Sequence, residues 1–397
     1  MKLSERLNAI QPSATLAVTA KAKALRAEGI DVIGFGAGEP DFDTPEPIKA
    51  AAVAALQSGF TKYTPSSGIL ELREAICGKL LRDNGLKYEP SQVIVSCGAK
   101  HSLFNIFQAL LDPGDEVLIP SPFWVSYPEM VRLAGGRPVL VPSEEKDCFR
   151  LRSDAVRPLV TDRTRVIIVN SPSNPTGCGL EREEIASLAE LAEEKDLLIV
   201  SDEIYEELTY DGFHHVSIAS LGERIKERTV VVNGFSKTYS MTGWRLGYAA
   251  GPDAIVNGMK TVQDHSTSNP TSFAQKGALE ALQGSGEEIS RRVLEFAERK
   301  KLIGSLLRKI PGVTFCDPQG AFYIFPNFGT YIGRSYGEKT ISSSTELATY
   351  LLENGRVATI PGSAFGSDSH LRLSFALSRE KIEEGVGRIA SSLAELT

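Results

Sequence analysis

The feature that most constrains this chain is a procession of seven short apolar runs, rich in Val and Ile, with helix-period segments between them. They are QVIVS (Gln92–Ser96), EVLIP (Glu116–Pro120), RPVLVP (Arg137–Pro142), RVIIVN (Arg165–Asn170), LLIVSD (Leu197–Asp202), TVVVNG (Thr229–Gly234) and LGYAAG (Leu246–Gly251). Apolar residues on consecutive positions suit strands covered on both faces. Between them, His101–Leu111 places Leu103, Phe107, Leu110 and Leu111 near one face, and Glu183–Glu194 does the same with Ile185, Leu188, Ala189 and Leu191. Strands alternating with helices predict an α/β fold built on a doubly wound, mostly parallel seven-stranded sheet.

The character changes near Ser285, where charged helical sequence (Glu287–Lys309) leads into PGVTFCDPQGAFYIFP and then HLRLSFA. Leu371, Leu373 and Phe375 alternate with Arg372 and Ser374, the pattern of a half-buried strand. At ~100–200 residues per domain, 397 residues allow two. We expect a large domain over 46–285 and a smaller α+β domain made of 1–45 plus 286–397. The first segment carries one helix (Ala14–Ala27) and a Gly-rich loop, and is expected to pack on the small domain and cross the cleft.

Composition narrows the function classes. Hydrophobic content of 42% and charged content of 23% exclude a disordered tract, a collagen or a coiled-coil rod. A net charge of −7 argues against nucleic acid as a partner, although a local basic pocket could hold one phosphate. Five cysteines (Cys77, Cys97, Cys148, Cys178, Cys316) with no CxxC pair read as reduced thiols, so a cytoplasmic location and no metal are expected. No stretch approaches the ~20 apolar residues of a membrane span, and the first residues lack a signal-peptide core.

In open α/β sheets, ligands sit beyond the carboxyl ends of the strands. The residues that follow these strands therefore form the candidate site. In GFSKTYSMTGWRLGY (Gly234–Tyr248), Lys237 just past a buried strand would be a desolvated amine able to form a Schiff base. Ser236 and Arg245, with the backbone N–H groups where Ala99 and Lys100 open a helix, could hold a phosphate. Asp202 could keep a heterocyclic nitrogen protonated, and Trp124 could stack on a flat ring. Singly each has a plain alternative: a lysine is usually solvated, an aspartate here could be a helix cap, and a tryptophan could be core. Jointly they describe pyridoxal phosphate. GFGAG (Gly34–Gly38) lacks the last glycine of a dinucleotide loop, and the scattered histidines, including His214 and His215 in a polar loop, make no case for a metal.

The chain resembles the class I (fold type I) pyridoxal-phosphate aminotransferases, in the bacterial aspartate aminotransferase subgroup called I-gamma. The resemblance runs from PSATLAV (Pro12–Val18) through AGEPDFDTP, KYTPSSGILELREA, NSPSNPTG (Asn170–Gly177), SDEIYEEL and SKTYSMTGWRLGY to LRLSFA. It implies that Lys237 carries the cofactor as an aldimine and shuttles the proton. It implies Asp202 on the pyridine nitrogen, Tyr205 and Asn174 on the phenolic oxygen, and Trp124 stacked on the ring beside the substrate. Ala99, Lys100, Ser236 and Arg245 would form the phosphate cup. Tyr63 would reach the phosphate of the neighbouring subunit, making the active unit a homodimer with shared sites. Arg372 would clamp the substrate α-carboxylate, with Gly38 contributing backbone contact and Asn174 a side-chain contact.

Arg372 reads any α-carboxylate, so specificity needs a second group. In the subgroup resembled, a lysine at the position of Lys100 reads the distal carboxylate, helped by hydroxyls at Ser13 and Thr15. That implies ping-pong transamination of aspartate with 2-oxoglutarate, the partners being small amino and 2-oxo acids. The same residues also fit the prephenate aminotransferases of this subgroup, which form arogenate. A transcription regulator of this fold would need a basic DNA-binding module ahead of the large domain, and the first ~45 residues are not basic enough for one.

Overall fold

The computed structural model describes residues 3–8, 10, 14–284 and 286–397. All seven expected strands form, and they join in one sheet. They are β1 (Val93–Ser96), β2 (Glu116–Ser121), β3 (Arg137–Pro142), β4 (Thr164–Asn170), β5 (Leu198–Asp202), β6 (Thr229–Gly234) and β7 (Gly247–Ala250). Their order is β1-β7-β6-β5-β4-β2-β3. Only β7 runs against its neighbours. The carboxyl ends of the other six therefore share one rim.

Side-chain alternation sorts the strands between two covered faces. Ile94, Val117, Ile119, Val166, Ile168, Val200, Val230 and Val232 pack with the helices Ala99–Leu110, Ser126–Leu133 and Asp253–Asp264. Val93, Val95, Leu118, Ile167, Val169, Ile199 and Val231 face the other way, onto cores that include Leu72, Ile76, Ala278 and Leu188. β3 departs from the expectation of two covered faces. It is one of the two edge strands, and unlike β1 at the other edge, which is buried throughout, only Val141 within it is buried. Pro138 and Pro142 have no N–H to donate, which suits an edge.

The C-terminal part builds its own layer. A three-stranded antiparallel sheet places Leu371–Ser374 between Ile360–Pro361 and Tyr323–Ile324. Its core gathers Phe35, Phe296, Phe322, Phe328 and Phe375. Leu371–Ser374 is not half-buried as its alternation suggested, since Arg372 and Ser374 are buried as fully as the leucines. The polar face looks into protein and a cavity, not into bulk water. The N-terminal segment joins this layer: Ile33–Gly34 pairs in parallel with Val357–Ala358, and the chain then crosses to the large sheet through residues 36–44.

That crossing is held by the 22-residue helix Gly286–Leu307. Arg299 Nη1 lies 2.7 Å from Asp41 Oδ1, and Arg292 Nη2 donates to the Asp43 carbonyl at 2.7 Å. Phe42 sits between the two guanidinium groups, 5.3 Å from Arg292 and 5.0 Å from Arg299. No helix among the described residues is long and apolar enough to cross a membrane.

Candidate active site

A cavity of about 420 Å³ opens at the carboxyl rim, between the large sheet and the C-terminal layer. Its wall brings together Gly38, Ala99, Lys100, Trp124, Asn174, Asp202, Tyr205, Ser236, Lys237, Arg245 and Arg372. These are eleven of the fourteen residues marked in the sequence. Tyr63 is not among them: it lies 92% exposed, outside this cavity. Ser13 lies outside the described residues. Thr15 belongs to the helix Ala14–Ala27, and its side chain lies outside the described part.

The anion-binding end is built where β1 stops. Gly98 takes φ +91°, and a Cβ there would stand 2.7 Å from Arg245 Nη2, so the guanidinium passes directly over the turn. The helix Ala99–Leu110 begins at once, and its own ladder starts with His101 and Ser102 on the Gly98 carbonyl. That leaves the first-turn amides of Ala99 and Lys100 pointing out with the positive end of the helix dipole. Ser236 and Arg245 complete this corner.

Lys237 follows β6, and its Nζ donates to the Gly38 carbonyl. Burial, then the nearby Arg372, pull its ammonium from 10.5 down to about 8. Asp202 ends β5. Burial pushes its carboxyl up to about 6, while a hydrogen bond from Tyr127 and the Ile204 N–H act to hold it ionised. The loop after β4 is tied to β5 by Asn170, whose Nδ2 donates to the Asp202 carbonyl at 2.9 Å and whose Oδ1 accepts from the Asn174 N–H at 3.1 Å.

Arg372 is the most telling group. Its guanidinium donates to Asn174 Oδ1 at 3.0 Å and to the Gly36 carbonyl at 2.9 Å, and its buried Nε has no partner. Both acceptors are neutral, and among the described residues no carboxylate pairs with it. Tyr323 and Phe365 flank it at 4.4 and 5.1 Å. A buried cation without a counter-ion is costly unless an anion completes it. In the same cavity, Lys100 Nζ stands 4.9 Å from the Trp124 ring, and burial, then Arg245, lower its pKa. Lys100, Lys237, Arg245 and Arg372 face only Glu39 and Asp202 as lining carboxylates. The cavity is thus built for an anionic ligand.

Sequence reasoning missed Tyr127 and Tyr323, which also line the cavity. The Tyr323 hydroxyl lies 3.0 Å from that of Tyr205. Glu39, held by the Thr242 hydroxyl at 2.8 Å, was missed as well. His215 lies in a loop, as expected, but its side chain turns away from solvent. Its ring is buried 3.2 Å from Glu203, in a group with Glu206, where the Lys79 ammonium supplies a positive charge.

Residues 30–389 match the family model described as aminotransferase class I and II. The chain belongs to the class I and II aminotransferase family. Similar chains include an aspartate aminotransferase of Bacillus subtilis, 51% identical over 98% of each chain. A probable aspartate/prephenate aminotransferase of Aquifex aeolicus is 50% identical over 99% of each. The solved aspartate aminotransferase of Thermus thermophilus with maleate superposes with a TM-score of 0.92, at 44% identity, over 99% of this chain and 100% of that one. This aminotransferase is therefore an α/β enzyme of the transferase class, acting on amino and keto acids.

Proposed function

We propose that this aminotransferase moves an amino group between aspartate and 2-oxoglutarate with pyridoxal 5′-phosphate as cofactor, in two half-reactions that use the same cavity in turn. One observation carries the reading. Lys237 and Asp202 line one cavity together with two cations, Arg372 and Lys100, that no carboxylate pairs among the described residues. The residues suit the cofactor: amides and Arg245 for its phosphate, Trp124 for its flat face, and a buried acid for its ring nitrogen. When bound, the cofactor supplies an electron-withdrawing ring conjugated to the substrate nitrogen, which makes the Cα proton removable.

The chain's own groups do the rest. Lys237 Nζ is the attachment point and, once freed, carries the proton to and from Cα. A pKa near 8 leaves a useful fraction of it neutral. Asp202 keeps the ring nitrogen protonated, and Asn174 and Tyr205 supply hydrogen bonds to the ring oxygen. Arg372 binds the α-carboxylate by a two-pronged contact, and Lys100 the distal one. A neutral side chain would leave Lys100 unpaired, at a cost of about 1–3 kcal/mol. Maleate, named with the Thermus enzyme, is a dicarboxylate and supports this reading.

The proposal extends to assembly. A tyrosine as exposed as Tyr63, in a chain whose relatives carry the same full-length fold, suits a homodimer in which each subunit lends it to the other's phosphate. Residues 46–285 would act as one body and 1–45 with 286–397 as the other, closing over substrate and excluding water. Free cysteines support a cytoplasmic setting.

A second reading has one specific observation behind it, the relative named for both aspartate and prephenate. Prephenate also carries two carboxylates, which Arg372 and Lys100 would divide between them. The deciding experiment adds aspartate, glutamate, alanine, phenylalanine and arogenate singly to the purified holoenzyme and follows the cofactor absorbance. Fast conversion by aspartate and glutamate alone supports the first reading. Equally fast conversion by arogenate supports the second, and conversion by none removes both.

A further inference from the structure

Tyr127 lies three residues beyond Trp124, in the first turn of the helix Ser126–Leu133. It is buried, and its ring belongs to the core between that helix and the sheet. A phenylalanine would fill the same space, so packing does not explain the hydroxyl. That hydroxyl reaches through the sheet face to Asp202 Oδ2 at 2.6 Å. Buried phenols find a partner, and this one has taken a carboxylate at a distance typical of a charge-assisted bond. Burial and the Asp202 charge hold the phenol protonated far above its ordinary range, so it stays a donor. The other carboxylate oxygen has only a long contact, 3.4 Å from the Ile204 N–H.

The same ring does a second job. It meets Trp124 edge to face, with centroids 5.2 Å apart and planes at 81°. The Tyr127 N–H also donates to the Trp124 carbonyl at 3.0 Å. Both side chains line the cavity. One residue therefore contacts the acid and the stacking ring together.

We propose that Tyr127 is a positioning residue: its hydroxyl holds Asp202 ionised and pins one of its oxygens, while its ring edge fixes Trp124, so that acid and stacking face are set in one register. This rests on the reading of the cavity as a pyridoxal phosphate site. The charged and titratable groups facing Asp202 are Tyr127, Tyr205, Glu203 and Lys237. Glu203 opposes ionisation and Lys237 is a partly neutral amine, so Tyr127 is the neutral donor that favours the carboxylate.

The test separates hydroxyl from ring. Apoprotein of the unaltered chain, Tyr127→Phe and Tyr127→Leu is titrated with pyridoxal 5′-phosphate and with its 1-deaza analogue, in which C–H replaces the ring nitrogen. Binding is followed by quenching of tryptophan fluorescence. Tyr127→Phe should bind the natural cofactor about tenfold more weakly, as loss of one hydrogen bond to a charged group implies, and the analogue as well as the unaltered chain does. Tyr127→Leu should lose affinity for both. In an Asp202→Asn background, Tyr127→Phe should change nothing further. Equal loss of both ligands in Tyr127→Phe, or no loss of either, would overturn the proposal. Failure of the unaltered apoprotein to take up pyridoxal 5′-phosphate would instead overturn the reading of the cavity, and this proposal with it.

Discussion

The guanidinium of Arg372 stands 4.4 Å over the ring of Tyr323, so a face of negative quadrupole supports a buried cation that has no counter-ion. Tyr323 in turn meets the Tyr205 hydroxyl at 3.0 Å. Arg372 and Tyr205 are thereby linked through Tyr323. A lysine in place of Arg372 would keep the charge and lose both the fork and the stacked plane. Arg372→Lys should raise KM for aspartate and glutamate about a hundredfold or more, and Tyr323→Phe only severalfold. Steady-state kinetics with both amino acids check this. An Arg372→Lys enzyme within threefold of the unaltered one would remove Arg372 as the carboxylate clamp.

Lys237 must attack as the free amine. With a pKa of about 8, roughly a tenth of it is neutral at pH 7, against well under a thousandth for an ordinary lysine. The rate of cofactor uptake by the apoprotein should climb about tenfold per pH unit and level off above pH 8. Stopped-flow absorbance gives the profile directly. A rate still climbing steeply at pH 10 would mean that the amine is not perturbed.

Asp202 makes an opposite and unusual contribution to stability. Its folded-state pKa of about 6 lies above the ordinary carboxylate value near 3.8, so the folded chain binds this proton more tightly than the unfolded one. Its stabilising effect is present below about pH 4 and is lost as pH rises through 6. Asp202→Asn apoprotein should therefore melt a few degrees above the unaltered apoprotein at pH 8, with the gap closing toward pH 4. Thermal melts at both pH values measure it. A lower melting temperature for the variant at pH 8 would show that the charge is well solvated.

Lys100 gives a specificity prediction. Its Nζ stands over Trp124 with no carboxylate bonded to it among the described residues. Lys100→Ala should cut kcat/KM for aspartate by about a hundredfold, the loss of one charged contact of about 1.5–3 kcal/mol, and leave alanine nearly unchanged. Equal losses for both amino acids would place Lys100 at the cofactor end alone.

Much of this site was legible because it is written in contiguous loops. SKTYSMTGWR, SDEIY and NSPSNPTG each follow a strand whose β-rich run announces it, and six of the seven strands end at one rim. Arg372 was legible too, although its strand was misjudged: alternation separates two faces without saying which one meets water. The edge position of β3 agrees with its two prolines, Pro138 and Pro142, although Pro120 in the inner strand β2 shows that a single proline does not mark an edge. Tyr127 was hidden because a buried tyrosine in SYPEMVRL looks like core. The i, i+3 relation to Trp124 was the available signal. Tyr323 lies in the run AFYIF, where every neighbour is apolar, and nothing local marks its hydroxyl.

The segment 36–44 supplies the last prediction. It lends the Gly36 carbonyl to Arg372 and the Gly38 carbonyl to Lys237, so its position sets two of the central groups. The helix Gly286–Leu307 holds it from outside: Arg299 binds Asp41, stacks on Phe42 and is itself oriented by Glu295 at 2.8 Å, a carboxylate that Arg379 also grips at 2.6 Å. Arg299→Ala would free Asp41 and uncover one face of Phe42. If the segment is a clamped wall of the site, the variant should raise KM for aspartate about tenfold, which corresponds to the loss of a contact worth about 1.4 kcal/mol. It should also expose Phe42 to chymotrypsin, and a dicarboxylate such as maleate should slow that cleavage by rebuilding the wall from inside. Kinetics and limited proteolysis with and without maleate read both effects. A variant that loses thermal stability with KM unchanged would make Arg299 a scaffold residue only.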